Sequence, residues 1–356
     1  MAFKMKAAVF KSFGSLLEVQ EFPDPEPKSN ELVLKVEACG ICGTDLHMSD
    51  NRTAEGGWRL LSPGCVLGHE FSGEIVEIGP GVGEEWKTGQ RVTALPWIGC
   101  GKCGPCRLGR PYRCSSVMLR SSLELPGAYS EFCRVGANEA LNLPDTVSFE
   151  QGALVEPMAV GFNAVQRANI KAKEPVLIMG AGPVGLSVAL WCRFFGVEHI
   201  LISDLSSERA AASVNFGATA VIDAGNGDVS EQLLDQLGVA PGIVFDCVGL
   251  PGTLQMAIDY AAPSARIIVV GLCMQSDNYF PAKALLKELD VCFSYVYSKE
   301  DFEKVIKLIG EKRIDPSQLI SRRVGLNEFP TAFQALKKPG SDLKVIMEPS
   351  EICVTA

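Results

Sequence analysis

Four cysteines, Cys100, Cys103, Cys106 and Cys114, are separated by two, two and seven residues in a stretch rich in glycine and proline. Thiolates at that spacing can share one tetrahedral ion if the backbone turns sharply between them, and Gly101, Gly104, Pro105 and Gly109 allow those turns. A zinc ion held by four sulfurs has no position left for substrate or water, so this set reads as structural. Iron–sulfur ligation is the rival use of the same residues, although nothing else in the sequence suggests electron transfer.

A second group has mixed chemistry: Cys42-Gly43-Thr44-Asp45-Leu46-His47, then Gly68-His69-Glu70. A catalytic zinc takes three protein ligands and keeps one position open. Cys42 and His69 are ligands of the right type. Glu156, in Leu154-Val155-Glu156-Pro157, is the first candidate for the third place, with Glu70 competing as the alternate. The chain has three histidines, so finding His47 and His69 in these two motifs carries information, whereas His199 begins an apolar run and reads as a packing residue. Cys39 and Cys42 also match a C-x-x-C redox pair, but the neighbouring βαβ pattern of such pairs is missing. Cys65, shortly before His69, is a spare donor that reads as a loop residue.

The third motif is Gly180-Ala181-Gly182-Pro183-Val184-Gly185, between the apolar run Val176 to Met179 and the helical run Leu186 to Phe195. In that context G-x-G-x-x-G is a dinucleotide fingerprint. Gly180 permits a tight turn, Gly182 lets a pyrophosphate approach the backbone, and Gly185 lets helix and strand pack closely. Asp204 ends the next strand, where a carboxylate accepts hydrogen bonds from a ribose diol and repels a 2′-phosphate. NAD is therefore expected over NADP. Arg209, one helical turn on, is either a solvated residue or a cation able to reach a phosphate. Val248, Gly249, Val270, Gly271 and Leu272 follow the fourth and fifth strands of this region and are further candidate cofactor neighbours.

These motifs need two kinds of scaffold. The first part of the chain reads as short strands broken by Gly and Pro: Met5 to Phe10, Leu32 to Glu37, Phe71 to Ile78, Gln90 to Leu95 and Tyr129 to Val135. From about Gln151, apolar strands alternate with helical stretches, the mark of a parallel sheet. Six strands are expected, at Pro175 to Met179, His199 to Ser203, Ala220 to Asp223, Ile243 to Cys247, Arg266 to Val270 and Val291 to Val296. The tail, with helices near Asp301 to Glu311 and Leu326 to Lys337 and a strand at Leu343 to Met347, is too short for a domain and is expected to complete the first one. The fold class is α/β, a doubly wound Rossmann sheet plus a β-rich domain. The expected division is 1–157, with the cysteine lobe at 96–115, then 158–297, then the return at 298–356.

A chain of 356 residues with 47% hydrophobic content supports two cores. Its 33 basic and 42 acidic residues give a net charge of −9, which disfavours nucleic acid as a partner. No run reaches the roughly 18 apolar residues of a membrane span, and the expected location is the cytoplasm. Thirteen cysteines in so large an apolar chain fit a reducing compartment better than a disulfide scaffold. Cys133, Cys192, Cys247, Cys273 and Cys292 read as buried small hydrophobes.

Taken together, in order and over essentially the whole chain, the motifs Gly40-Ile41-Cys42-Gly43-Thr44-Asp45-Leu46-His47, Gly68-His69-Glu70, the four-cysteine lobe, Leu154-Val155-Glu156-Pro157 and Gly180 to Gly185 resemble the zinc-dependent alcohol dehydrogenases of the medium-chain dehydrogenase/reductase superfamily. The polyol, butanediol and threonine dehydrogenase branch looks most similar. The resemblance implies a GroES-like catalytic domain split around an inserted Rossmann domain, with the active site in the cleft between them. It implies NAD and two zinc ions per subunit: one on Cys42, His69 and Glu156, with Glu70 nearby or as alternate ligand, and one on Cys100, Cys103, Cys106 and Cys114. Thr44 would hydrogen-bond the substrate hydroxyl and His47 would pass its proton to solvent. Glu156 departs from the simple alcohol dehydrogenases, which have a third sulfur there, and points towards diols and polyols. A homo-oligomer, dimer or tetramer, is implied through the edges of the Rossmann sheets, with Val291 to Val296 as the candidate edge.

The expected partner is a small alcohol or its ketone, and the expected reaction is hydride transfer between a secondary alcohol, diol or polyol and NAD. A threonine-type amino-alcohol dehydrogenase is the alternative within the class. A silent NAD-binding sensor is the alternative outside it, one that would need none of Cys42, Thr44, His47, His69 and Glu156. Asn51 to Ser62 with Trp58, together with Trp97, Leu272 and Tyr295, are the expected pocket walls.

Overall fold

The computed structural model describes residues 4–50, 60–338 and 340–350. The chain forms two compact units, one holding the described residues up to Glu156 and again from Ser298, the other running Pro157–Tyr297.

In the Pro157–Tyr297 unit, six parallel strands lie in the spatial order Ala220–Asp223, Ile200–Asp204, Val176–Met179, Ile243–Asp246, Arg266–Val269, Asp290–Phe293. The inner strands Val-Leu-Ile-Met and Ile-Val-Phe-Asp are buried at every position, as strands covered on both faces must be. Leu177, Leu201, Val244 and Ile267 from the sheet pack with Leu233, Ala257 and Ile258 from the helices. Val176–Met179 and Ile243–Asp246 are neighbours although distant in sequence, so the strand order reverses between them. Open α/β sheets bind ligands beside such a reversal, at the carboxyl ends of the strands. Helix Pro183–Phe194 follows the first strand of the sheet and is anchored by buried Trp191, whose Nε1 donates to the Met158 carbonyl at 2.8 Å. The outer strand Asp290–Phe293 shows the opposite burial pattern, mostly exposed.

The other unit is built on a seven-stranded sheet. Its main path runs Ile320–Gly325, Lys344–Glu348, Glu31–Gly40, Glu70–Ile78, Arg91–Ala94, Ala140–Asn142, and Phe132–Gly136 pairs separately with Glu31–Gly40. The ten-residue strand Glu31–Gly40 is the hub. The late strand Lys344–Glu348 joins it antiparallel, with Ile346 opposite Gly40, and Ala38, Ala153, Leu154 and Ile346 form a common core. Strands Glu18–Pro23 and Ile320–Gly325 and helices Gly43–Asp50 and Val155–Ala168 are additions to the sequence expectation. The two arginines of Ile320–Gly325 disguise a strand whose exposed positions alternate with inward ones. Among the described residues no helix is long and apolar enough to cross a membrane.

Candidate zinc and dinucleotide sites

Strand pairing assembles the mixed-ligand site. Glu31–Gly40 ends just before Cys42, Glu70–Ile78 begins just after His69, and the two strands pair with Gly40 opposite Glu70. A Cβ at Gly40 would collide with the Glu70 carboxylate, so the glycine is what lets that side chain lie across the strand. The outcome is that Cys42, His69 and Glu70 each offer a ligand atom within 4.8 Å of the others. One thiol, one imidazole and one carboxylate make a donor set that suits zinc.

The surroundings are electrostatically tense. His69 Nδ1 sits 3.2 Å from Asp45 Oδ1, and the Tyr129 hydroxyl donates to Asp45 Oδ2 at 2.6 Å. Burial opposes a charge on His69, but Asp45 and Cys42 outweigh it and hold the imidazole pKa well above its usual value. Asp45 thereby takes Nδ1 and leaves Nε2 as the ligand atom, the arrangement by which carboxylates orient metal-binding histidines. Burial, then the Asp45 charge, raises the Tyr129 phenol well above its usual range, which keeps it a donor. Lys344 Nζ reaches both oxygens of Glu70 at 2.7 Å and the Ile41 carbonyl at 2.9 Å.

Glu70, the alternate in the sequence reading, joins this group, and Glu156 is not among the three. Glu156 lies buried in the first turn of Val155–Ala168, near enough for its charge to add to that of Glu70 in raising the Lys344 pKa. The strand register that pairs Gly40 with Glu70 is what brings Glu70 to Cys42 and His69. Thr44 is half-buried and His47 exposed on helix Gly43–Asp50, with Asp45 between them turned inward. Trp58 lies outside the described residues. Trp97 is buried, its ring 5.6 Å from that of Tyr112, and Tyr295 is largely exposed. Sequence reasoning assigned no role to Asp45, Tyr129 or Lys344. Asp45 sat inside the quoted motif, and Lys344 was detectable as one charge in the apolar run Leu343 to Met347.

Cys100, Cys103, Cys106 and Cys114 form the second group, again with ligand atoms within 4.8 Å of one another. Helix Gly104–Arg107 and the turn Pro111–Arg113 fold the loop back on itself, and the sulfurs of Cys100 and Cys106 lie 4.0 Å apart. Backbone N–H groups of Lys102 and Cys103 lower the Cys100 pKa to about 6. Burial, followed by the neighbouring thiols, pushes Cys106 up to about 12. Four clustered thiolates repel one another unless a cation sits among them, so the lobe fits zinc. Of the cysteines expected to be buried, Cys133 and Cys192 are, whereas Cys247, Cys273 and Cys292 are only partly so. Cys292 accepts from Arg167 Nε and Nη2 at 3.1 and 3.0 Å, a polar contact no small hydrophobe would make.

The glycine-rich loop lies wholly within the Pro157–Tyr297 unit. Gly180 takes φ +97°, and a Cβ at Gly185 would strike the Gly180 carbonyl, so both positions require glycine. A Cβ at Gly182 would meet nothing within 4 Å, which is the open space a pyrophosphate would fill. Gly182 caps Pro183–Phe194 with no side-chain acceptor, leaving the first N–H groups, including that of Val184, for an anion. Asp204 Oδ2 accepts from Ala181 N at 2.8 Å, and Oδ1 accepts from Ser206 N at 2.8 Å and Arg209 Nη2 at 3.3 Å. Asp246 collects the N–H groups of Val248 and Gly249, and its carbonyl those of Val270 and Gly271. The turns at Gly249 and at Gly271 and Leu272 pack so closely that a Cβ at Gly249 or Gly271 would clash with the other's backbone. The loop and its surroundings fit a dinucleotide.

Residues 28–145 match the alcohol dehydrogenase GroES-like domain, and residues 183–311 match the zinc-binding dehydrogenase family. A sorbitol dehydrogenase of Bacillus subtilis is 30% identical over 353 residues, spanning 97% of this chain and 98% of its own. The solved structure of 2R,3R-butanediol dehydrogenase from Bacillus subtilis superposes with a TM-score of 0.84 at 28% identity, over 97% of this chain and 99% of that one. A structure described as a zinc-binding dehydrogenase of Sinorhizobium meliloti, bound to NADP, gives 0.85 at 30% identity, over 98% and 100%. With its GroES-like and six-stranded parallel units and its two metal-ligand clusters, the chain belongs to the zinc-containing alcohol dehydrogenases of the medium-chain dehydrogenase/reductase superfamily, enzymes that act on CH–OH groups with a nicotinamide coenzyme.

Proposed function

We propose that this enzyme oxidises a secondary hydroxyl of a polyol or diol with NAD, reversibly, at a zinc held by Cys42, His69 and Glu70. The convergence of those three donors carries the reading, and similarity to a sorbitol and a butanediol dehydrogenase supports the substrate class. Zinc, when bound, supplies Lewis acidity that lowers the pKa of an alcohol hydroxyl by several units, and NAD supplies the hydride acceptor. Thr44 and His47 stand three residues apart on helix Gly43–Asp50 and therefore share a face. Thr44 accepts the substrate proton through a hydrogen bond, and exposed His47 hands it to water. Asp45, between them, holds His69. Glu156 is the additional carboxylate proposed to enter the ligand set, since Lys344 senses both acids. Cys100, Cys103, Cys106 and Cys114 hold the second, structural zinc.

NAD rather than NADP is proposed from Asp204, whose carboxylate stands at the end of the second strand of the parallel sheet. A homodimer is proposed from the outer strand Asp290–Phe293, which is the end of that sheet among the described residues and exposes Val291 and Phe293 beside Leu285, Leu286 and Tyr295. A bare apolar strand edge invites pairing with a second copy.

The test is a screen of sorbitol, butanediols, cyclic alcohols and threonine, reading NADH absorbance before and after removal of metal by a chelator, with metal content measured in parallel. Metal-dependent turnover of polyols or diols is expected. Turnover of threonine alone, or activity indifferent to metal loss, would overturn the reading.

A further inference from the structure

We propose that Asp246 is the positioning residue for the nicotinamide half of the coenzyme, fastening together the two turns on which that half would rest. The proposal rests on the dinucleotide reading of the Gly180 to Gly185 loop and goes beyond it by naming the group that shapes the surface beyond the pyrophosphate.

The strand reversal separates the two halves of a dinucleotide. With the pyrophosphate over Gly182 and a ribose at Asp204, the adenosine lies on the Ile200–Asp204 side of Val176–Met179, so the other nucleotide extends towards Ile243–Asp246 and Arg266–Val269. Asp246 is the last residue of the nearer of these strands, opposite Met179 on one neighbour and Val269 on the other.

From that place one residue holds both turns. Its Oδ1 accepts from Val248 N at 3.0 Å and Gly249 N at 3.4 Å, and its carbonyl accepts from Val270 N and Gly271 N, each at 2.8 Å. The Thr253 hydroxyl, at the start of helix Thr253–Tyr260, lies 2.8 Å from Oδ2 and 2.8 Å from the Leu250 carbonyl. Asp246 itself is 2% exposed, so this network is shielded from water that could replace its members.

The turns have no slack with which to absorb a shift. A Cβ on Gly271 would lie 2.3 Å from Gly249 N, and one on Gly180 would lie 3.1 Å from the Val248 side chain, so the pyrophosphate loop and both turns abut. A displaced Val248 to Leu250 turn therefore moves the surface offered to the ring. Farther along, Gly252 N donates to Asp277 Oδ1 at 2.7 Å and ties the same two segments a second time, so loss of the Asp246 carboxylate loosens the turns without releasing them. The side-chain partners of Asp246 are neutral donors, which makes the acceptor atoms the requirement and not the charge. An amide meets it: Oδ1 would serve Val248 and Gly249, and Nδ2 would donate to Thr253 Oγ1 while the hydroxyl proton goes to the Leu250 carbonyl.

The experiment compares NADH with ADP-ribose, which carries the adenosine and pyrophosphate but no nicotinamide, by calorimetry on the full-length, metal-loaded protein. The parent is expected to bind NADH more tightly. Asp246→Ala should weaken NADH about tenfold, the worth of one buried hydrogen bond, and leave ADP-ribose within about twofold. Asp246→Asn should stay within about threefold of the parent for both ligands. Equal losses for the two ligands in Asp246→Ala, no loss for either, or an Asp246→Asn as impaired as Asp246→Ala overturns the proposal while leaving the dinucleotide site in place. A parent that holds the two ligands equally tightly also overturns it, and a parent that binds neither overturns both readings. If Asp246→Ala gives no cooperative thermal melt, Thr253→Val decides: it removes one donor at constant shape and should weaken NADH about threefold with ADP-ribose unmoved, and unchanged NADH affinity there rejects the assignment.

Discussion

Lys344 Nζ lies 2.7 Å from both oxygens of Glu70, with the two side chains 2% and 1% exposed. Burial alone would strip the charge from Lys344, and Glu70 is the largest influence keeping its pKa raised. Deleting one member of so enclosed a pair strands the other. Lys344→Met is expected to cost about 3–5 kcal/mol in metal-free protein, measured by urea unfolding. Zinc should restore part of that loss, because it gives Glu70 another cation. Equal losses with and without zinc would show that Glu70 serves the fold and not the metal.

Asp45 holds the His69 ring and receives the Tyr129 hydroxyl. Asp45→Asn preserves the shape and removes the charge that aligns the imidazole. Zinc affinity at the Cys42 site should fall about 10- to 100-fold, read by competition with a chromogenic chelator. A lower melting temperature with unchanged zinc affinity would make Asp45 a packing residue only.

Glu139 is buried at the root of the cysteine lobe, where Oε1 accepts from Gly99 N at 3.1 Å. Burial, the largest influence, raises its pKa above 4.5 despite that bond. The folded chain therefore holds this proton more tightly than the unfolded chain. The stabilising contribution is fully present below about pH 4.5 and is lost as pH rises through the elevated folded value. Glu139→Gln keeps the acceptor without the charge. It should equal or exceed the parent in stability at neutral pH, and the difference between the two, followed by denaturant titration, should shift in favour of the parent as pH falls towards 4.5. A difference that does not vary with pH would reject the account.

Phe293, 65% exposed on the outer strand Asp290–Phe293, is the test of self-association. Phe293→Lys places a charge on that edge, the device natural sheets use to block pairing. Light scattering should show a smaller assembly, with nicotinamide binding retained. An unchanged mass would move the interface elsewhere.

What the sequence disclosed depended on distance along the chain. The four cysteines fall within fifteen positions, and the glycine-rich loop sits directly between its strand and helix, so both motifs carry their geometry with them. The six parallel strands were legible because each is a short, nearly unbroken apolar run. The carboxylate that joins Cys42 and His69 was not legible in that way. Choosing between Glu70 and Glu156 needs the Gly40 to Glu70 register, a pairing that no local pattern encodes. Lys344 lies 274 residues from the carboxylate it neutralises, and only the sheet order brings them together. Asp45 was in view but had no role until the helix Gly43–Asp50 turned it inward.

The placement of Lys344–Glu348 beside Glu31–Gly40 sets an order of events during synthesis. A ribosome releases residue 344 long after Glu31–Gly40 and Glu70–Ile78 have emerged, so in the interval the hub strand has a missing neighbour and Glu70 lacks the Lys344 counter-charge. The nascent protein can finish its parallel-sheet unit early, while the metal-binding half waits for its last strand. Lesions in Lys344–Glu348 would then act as folding faults in a site whose candidate ligands were made long before.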